Sequence, residues 1–170
     1  MTRVRWLDEH EQRAWRALQF MQLRLAGRLA ADVAATSDLS YSDYLVLVAL
    51  GEQPDGRARL FELAQALGWE KSRLSHQVAR MSRRGLLRKE RCDGDRRGAF
   101  VVVTAPGRKA IEEAAPHHVA MVRRLFIDPL TPRELDAITS AAEKVLAALD
   151  TEAADSHHDG GGSREERPSR

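Results

Sequence analysis

A mainly α-helical fold with one small β-hairpin is predicted by three features of this 170-residue sequence. Two amphipathic runs, each closed by a glycine, follow one another between Phe61 and Gly85. Two strand-like runs come directly after them. Long helical runs with apolar stripes flank the whole segment on both sides. Helix, tight turn, helix, hairpin is the order of a winged helix-turn-helix, a motif whose second helix enters the DNA major groove while the hairpin reaches an adjacent groove.

The first helix is predicted over about 8–35. Leu7, Ala14, Leu18, Met21, Leu25 and Leu29 keep close to a heptad stripe, and Arg13, Arg16, Arg24 and Arg28 lie off it. So long a helix exceeds what a small domain can cover, so its stripe is expected to pack partly against a second subunit. Residues 36–39 are a loop. Ser40 then caps a helix, with Asp43 as the reciprocal acceptor of a capping box. The run Tyr41–Leu50 is apolar nearly all round, which predicts burial. Gly51 is expected to close it in a left-handed conformation. Pro54-Asp55-Gly56 is a turn, and Arg59-Leu60 are placed in a short third strand.

The helix-turn-helix itself is read as Phe61–Leu67, ended by Gly68, and about Glu70–Arg84, ended by Gly85. Leu74, Val78 and Met81 form one apolar face of the second helix. Lys71, Ser72, Arg73, Ser75, His76, Gln77 and Arg80 fall mostly on the other and can hydrogen-bond base edges or phosphates. From Glu70 to Gly98 ten bases stand against four acids, a local net charge of +6 within a chain of +2 overall. Such a concentration is the electrostatic footprint of a phosphate-binding surface. The strands Leu86–Arg91 and Ala99–Thr104 are joined by a polar turn, Cys92–Gly98, that carries Arg96 and Arg97.

Thr104 caps the next helix with Pro106 just inside it, and Ile111, Ala114, Ala115, Val119, Val122 and Phe126 make its face. Pro116, in mid-helix, is expected to kink it or break its hydrogen bonding locally. Thr131-Pro132-Arg133-Glu134 is a capping box with proline at the first helical position. The last helix is predicted to run to about Leu149, with Leu135, Ile138, Ala142, Val145, Leu146 and Leu149 as its face. Residues 150–170 lack apolar periodicity and contain three consecutive glycines, and they are predicted to be a disordered tail.

Composition bounds the function. Hydrophobic residues at 43% suffice for a core, and the pI near 9.0 suits a nucleic-acid partner. One cysteine allows no internal disulfide. The N-terminus is too polar for a signal peptide, and no apolar run approaches the ~20 residues of a membrane span. A soluble, cytoplasmic protein is expected. There is no Gly-x-Ser-x-Gly, P-loop or Gly-x-Gly-x-x-Gly, and the carboxylates are scattered over helix surfaces, so no enzyme and no cofactor are expected. His117 and His118 point about 100 degrees apart on a helix and do not easily share an ion, so no metal site is expected. Cys92 follows Arg88, Lys89 and Arg91, which would favour a thiolate, but an incidental cysteine is the preferred reading.

The run from Ser72 to Thr104 resembles the core signature of the MarR family of bacterial transcription regulators. Gly85-Leu86 opens a strand, Asp95-Arg96-Arg97 stands in the wing, and Val103-Thr104 closes the second strand, as in that family. The likeness covers about residues 5–149. It implies a DNA-binding lobe over about 40–104 and dimerisation helices over about 8–35 and 105–149, assembled into an intertwined homodimer. It implies further that Arg97 inserts into the minor groove, whose negative potential attracts arginine, while Asp95 pairs with an arginine to direct it. It also implies a small aromatic or anionic effector in a cleft for which Trp15, Phe20, Tyr44 and His118 are the candidates. Two positions depart from the family: Phe61 and Glu70 stand where a Ser or Thr helix cap is usual. A missing cap oxygen costs ~1 kcal/mol, and Glu70 offsets part of it through the helix dipole. The resulting expectation is a repressor that binds a pseudo-palindromic operator. The rivals are a winged-helix protein–protein adaptor and a nonspecific DNA binder, from which salt dependence and sequence preference separate it.

Overall fold

The computed structural model describes residues 4–92 and 95–158; the side chains of residues 91–98 and 153–158 lie outside that description. The chain is mainly helical with a small antiparallel sheet, in the order α1 (Glu9–Thr36), α2 (Tyr41–Gly51), β1 (Arg57–Arg59), α3 (Leu60–Leu67), α4 (Lys71–Arg83), β2 (Leu87–Cys92), β3 (Asp95–Val103), α5 (Ala105–Val122) and α6 (Pro132–His158). It divides into two compact units, one up to Leu125 and one from Phe126. No helix among the described residues is long and apolar enough to cross a membrane.

The first unit is built around α2. Its capping box forms as the sequence predicts: the Asp43 N–H donates to the Ser40 hydroxyl at 3.1 Å, and the Ser40 N–H donates to the Asp43 carboxylate at 2.9 Å. Val46, Leu47 and Leu50 of α2 are sealed in a core with Leu63 of α3, Leu74, Val78 and Met81 of α4, and Val101 of β3. Val33 of α1 and Ala114 of α5 also belong to it. Gly51 departs from expectation. It is the last residue of α2, and the following Glu52 closes the turn at φ −77°, so no left-handed residue is needed there.

The two helices of the helix-turn-helix end alike. The Trp69 N–H donates to Ala64 O and the Gly68 N–H to Gln65 O. After α4 the Leu86 N–H donates to Met81 O and the Gly85 N–H to Ser82 O. In both, a glycine at φ +60° or +75° turns the chain back so that the last carbonyls find partners. The cap of α3 is Arg59, not Phe61, because the helix begins one residue earlier than predicted. Glu62 supplies half of a capping box by accepting from the Arg59 N–H at 3.0 Å. The cap of α4 is Glu70, whose side chain makes no capping bond, as its sequence position implied.

The sheet has the order β1-β3-β2, so a third strand exists, but at Arg57–Arg59 and not at Arg59-Leu60, since Leu60 opens α3. The hairpin is longer than predicted. Arg91 pairs with Ala99 and Cys92 with Asp95, a register shift that leaves residues 96–98 between the two pairs. Most of the expected turn is therefore strand. Thr104 caps α5 by accepting from the Gly107 N–H, and its hydroxyl donates toward the Gly85 and Leu86 carbonyls. This ties the start of α5 to the end of α4. Helix α5 runs unbroken through Pro116 and passes into a π-helical turn at Arg123–Ile127. The proline thus removes one hydrogen-bond donor without ending the helix.

In the second unit, α6 opens on the predicted capping box. The Thr131 N–H and hydroxyl donate to the Glu134 carboxylate at 2.8 and 2.7 Å, which holds that carboxyl below its usual range. The helix continues to His158, past the boundary predicted at Leu149. Residues 159–170, the rest of the expected tail, lie outside the described residues.

Gly85 and Gly51 make a paired test of this account. Gly85→Ala should lose about 1 kcal/mol in a urea titration, because alanine resists the left-handed region. Gly51→Ala, at a helical φ with open space around it, should be neutral or gain up to ~1 kcal/mol. Equal effects at the two sites would overturn the assignment of Gly85 as a conformational requirement.

Candidate nucleic-acid interface

Helix α4 is amphipathic in the literal sense that one side is sunk and the other is offered. Leu74, Val78 and Met81 are fully buried. Lys71, Ser72, Arg73, His76, Arg80 and Arg83 are exposed, and Ser75 is half-buried. No carboxylate lies between Lys71 and Arg83. Ser42 at the start of α2 joins Arg73, His76, Arg80 and Arg83 around an open recess of about 350 Å³.

The arginines of this face are held by neighbours. The Arg73 guanidinium lies over the Trp69 ring, 4.2 Å from its centroid, a cation–π contact that fixes the side chain at the inter-helix turn. The Arg80 guanidinium donates to Gln77 Oε1. Arg84 points away from this face: it donates to Asp43 at 2.7 Å and to the Asp38 carbonyl at 2.5 Å. Arg88 pairs with Glu90. The basic excess counted along the sequence therefore includes two cations already engaged inside the chain.

Gln77 is the correction. It is expected among the residues that approach base edges, yet it is 3% exposed, and its amide donates to the Asp43 carboxylate at 2.5 Å. Its place on the helix explains this. Gln77 lies three residues after Leu74 and four before Met81, on the flank of the apolar arc, about 40 degrees beyond Met81 and not opposite it. Lys71, Ser72, Arg73, His76 and Arg80 do lie together on the solvent side, with Ser75 at its edge. Of the wing residues, Asp95, Arg96 and Arg97 are on β3, and their side chains lie outside the described residues.

The aromatic candidates separate into two places. Tyr44 and His118 meet, ring centroids 4.3 Å apart, and Tyr41 stacks on Tyr44 at 6.5 Å. Tyr41 is not among the sequence candidates, although its spacing of three from Tyr44 puts both on one face of α2. Burial raises both phenols above their usual range and lowers the His118 imidazole, against which the nearby Asp32 carboxylate pulls upward. The Asp32 Oδ2 and His118 Nδ1 atoms are buried without a hydrogen-bond partner. Asp32, too, gave no signal in the sequence, since a lone acid on a long helix reads as solvated. Trp15 and Phe20 are elsewhere. They precede Asp32 on α1 by 17 and 12 residues, or about 25 and 18 Å at 1.5 Å per residue, and are 52% and 63% exposed. Phe20 instead borders a recess with Arg24, Arg28 and Leu125.

Comparison with known proteins agrees with this architecture. The sequence model of the MarR family matches residues 37–98. The transcriptional regulator HosA of Escherichia coli O111:H- is 35% identical over 111 residues, which cover 65% of this chain and 80% of HosA. The crystal structure of AbsC, a MarR family transcriptional regulator from Streptomyces coelicolor, superposes with a TM-score of 0.80 at 41% identity, over 87% of this chain and 99% of AbsC. Sco3205, a second regulator of that family and organism, solved in complex with DNA, gives a TM-score of 0.81 at 34% identity, over 88% and 93%. The winged helix, its basic face and these relatives together establish that the chain belongs to the MarR family of transcriptional regulators.

Proposed function

We propose that this chain binds DNA sequence-specifically as a homodimer on a pseudo-palindromic operator, and represses by occupying it. The observation that carries the reading is the exposed face of α4, which presents cations and hydrogen-bonding side chains with no carboxylate from Lys71 to Arg83. Its relative Sco3205 has been crystallised on DNA. Ser72, Arg73, Ser75 and His76 are assigned to base edges, Lys71 and Arg80 to phosphates, and Arg96 and Arg97 to the minor groove, with Asp95 orienting one of them. A two-fold dimer places its recognition helices about 34 Å apart, one DNA turn.

Dimerisation is supported by α1. Trp15, Phe20 and Leu23 on it, and Trp6 just before it, are all more than half exposed, and the buried residues of this 28-residue helix, Leu29 and Val33, lie in its second half. An apolar surface of that extent on a water-exposed helix calls for a partner. For an effector, the cluster of Tyr41, Tyr44, His118 and Asp32 offers flat apolar rings beside two unmet polar atoms. That suits a small aromatic molecule bearing hydrogen-bonding groups, which would act by favouring a dimer whose recognition helices are wrongly spaced.

Three measurements test these assignments. Selection from a random DNA pool should return an inverted repeat with half-sites one turn apart, and Arg97→Ala should weaken binding to it by at least ~1 kcal/mol while leaving the melting temperature unchanged. Full-strength binding by that variant removes the wing assignment, and a pool with no enriched sequence removes the specific-regulator reading in favour of a nonspecific or adaptor role. Leu23→Asp should shift sedimentation from dimer to monomer; an unaltered profile places the dimer interface away from α1. The third concerns acid. The folded His118 imidazole takes a proton less readily than the unfolded one, whose value is near 6.5. Its contribution to stability is complete above that value and is lost as pH falls through the lower folded one. Wild type should therefore lose more stability between about pH 7 and about pH 5 than His118→Gln does, and parallel pH profiles would contradict the burial of this group.

A further inference from the structure

We infer that Asp43 and Gln77 are positioning residues for DNA reading, which hold the guanidinium of Arg80 in place before DNA arrives. The inference rests on the DNA-binding function proposed above. Asp43 is buried, with its side chain 5% exposed. It accepts from the Ser40 N–H at 2.9 Å, from Arg84 Nη1 at 2.7 Å and from Gln77 Nε2 at 2.5 Å. A carboxylate only accepts hydrogen bonds, so it fixes which way the Gln77 amide points. The amide nitrogen must face Asp43, and the amide oxygen must then face outward. That oxygen accepts from the Arg80 guanidinium.

The relay is thus polarised from end to end: buried carboxylate, amide, guanidinium, solvent. Arg80 is exposed on the cationic face of α4 and lies three residues from Gln77, one turn along the helix. A free arginine samples many rotamers and loses that freedom on binding. One already held by a hydrogen bond loses less, and the difference appears as affinity. Gln77, at 3% exposed, offers too little surface to read a base itself, so its effect on binding passes through Arg80.

The experiment is a double-mutant cycle on the duplex recovered by site selection. The proteins are the full chain as wild type, Gln77→Leu, Arg80→Ala and the double variant. Gln77→Leu keeps the site apolar and filled, and leaves Asp43 its bonds to Ser40 and Arg84. It is expected to weaken binding roughly three- to tenfold. In the Arg80→Ala background the same change should have no further effect, giving a coupling close to the whole of the Gln77 loss. Equal losses in both backgrounds would mean that Gln77 only supports the fold, and would overturn the assignment. Should Gln77→Leu not fold, Gln77→Met, unbranched and of matching length, makes the same test. Failure of the wild type to prefer the selected duplex over a scrambled one overturns the DNA reading and this inference together, whereas additive losses with wild-type preference intact overturn the inference alone.

Discussion

A charge can be buried only where donors surround it, and Asp43 is where this fold meets that condition. Removing one partner from a buried charged group is among the costlier single changes a protein can suffer. The carboxylate closes the first turn of α2, anchors the middle of α4 through Gln77 and anchors its end through Arg84. The apolar core, with Leu47, Val78 and Met81 fully buried, sets both the distance between α2 and α4 and the face that α4 turns inward. The hydrogen bonds of Asp43 add direction at single side chains: they fix the Gln77 amide and the Arg84 guanidinium. Part of the cationic face is thus arranged from the buried side, through Gln77 and Arg80.

Much of this was legible in the sequence, because its local signals are short-range and chemically distinct. Gly68 and Gly85 punctuate the two helices of the motif, and Ser40 with Asp43, and Thr131 with Glu134, announce two helix starts. Gln77 carries a weaker signal: residue type groups it with its polar neighbours, and helix geometry puts it only on the flank of the apolar stripe, about 40 degrees beyond Met81. Its partner Asp43 is 34 residues away in the chain, beyond the reach of any local pattern. The end of α6 is hidden in the sequence for a different reason. Loss of apolar periodicity after Leu149 shows that nothing remains to bury. It does not show that the helix stops, since Thr151–Ala154 contains no glycine or proline to break it.

The aromatic residues make the same point about distance. Trp15, Phe20, Tyr44 and His118 share a chemical character, and character alone groups them. Helix rise separates them: two lie on the exposed first half of α1, while Tyr44 and His118 touch where α2 meets α5. Tyr41 and Asp32 complete that second group, one by helical spacing and the other by long-range packing. Position along an element must be weighed with residue type before a site is drawn.

Tyr41, Asp43 and Tyr44 occupy a single turn of α2. The two tyrosines face His118 of α5 and the aspartate faces Gln77 of α4. No loop separates these contacts, because all three residues lie in one hydrogen-bonded turn. A side chain of another size at Tyr41 or Tyr44 would press on the same turn that carries Asp43, so the aromatic cluster and the Asp43–Gln77 contact share one support.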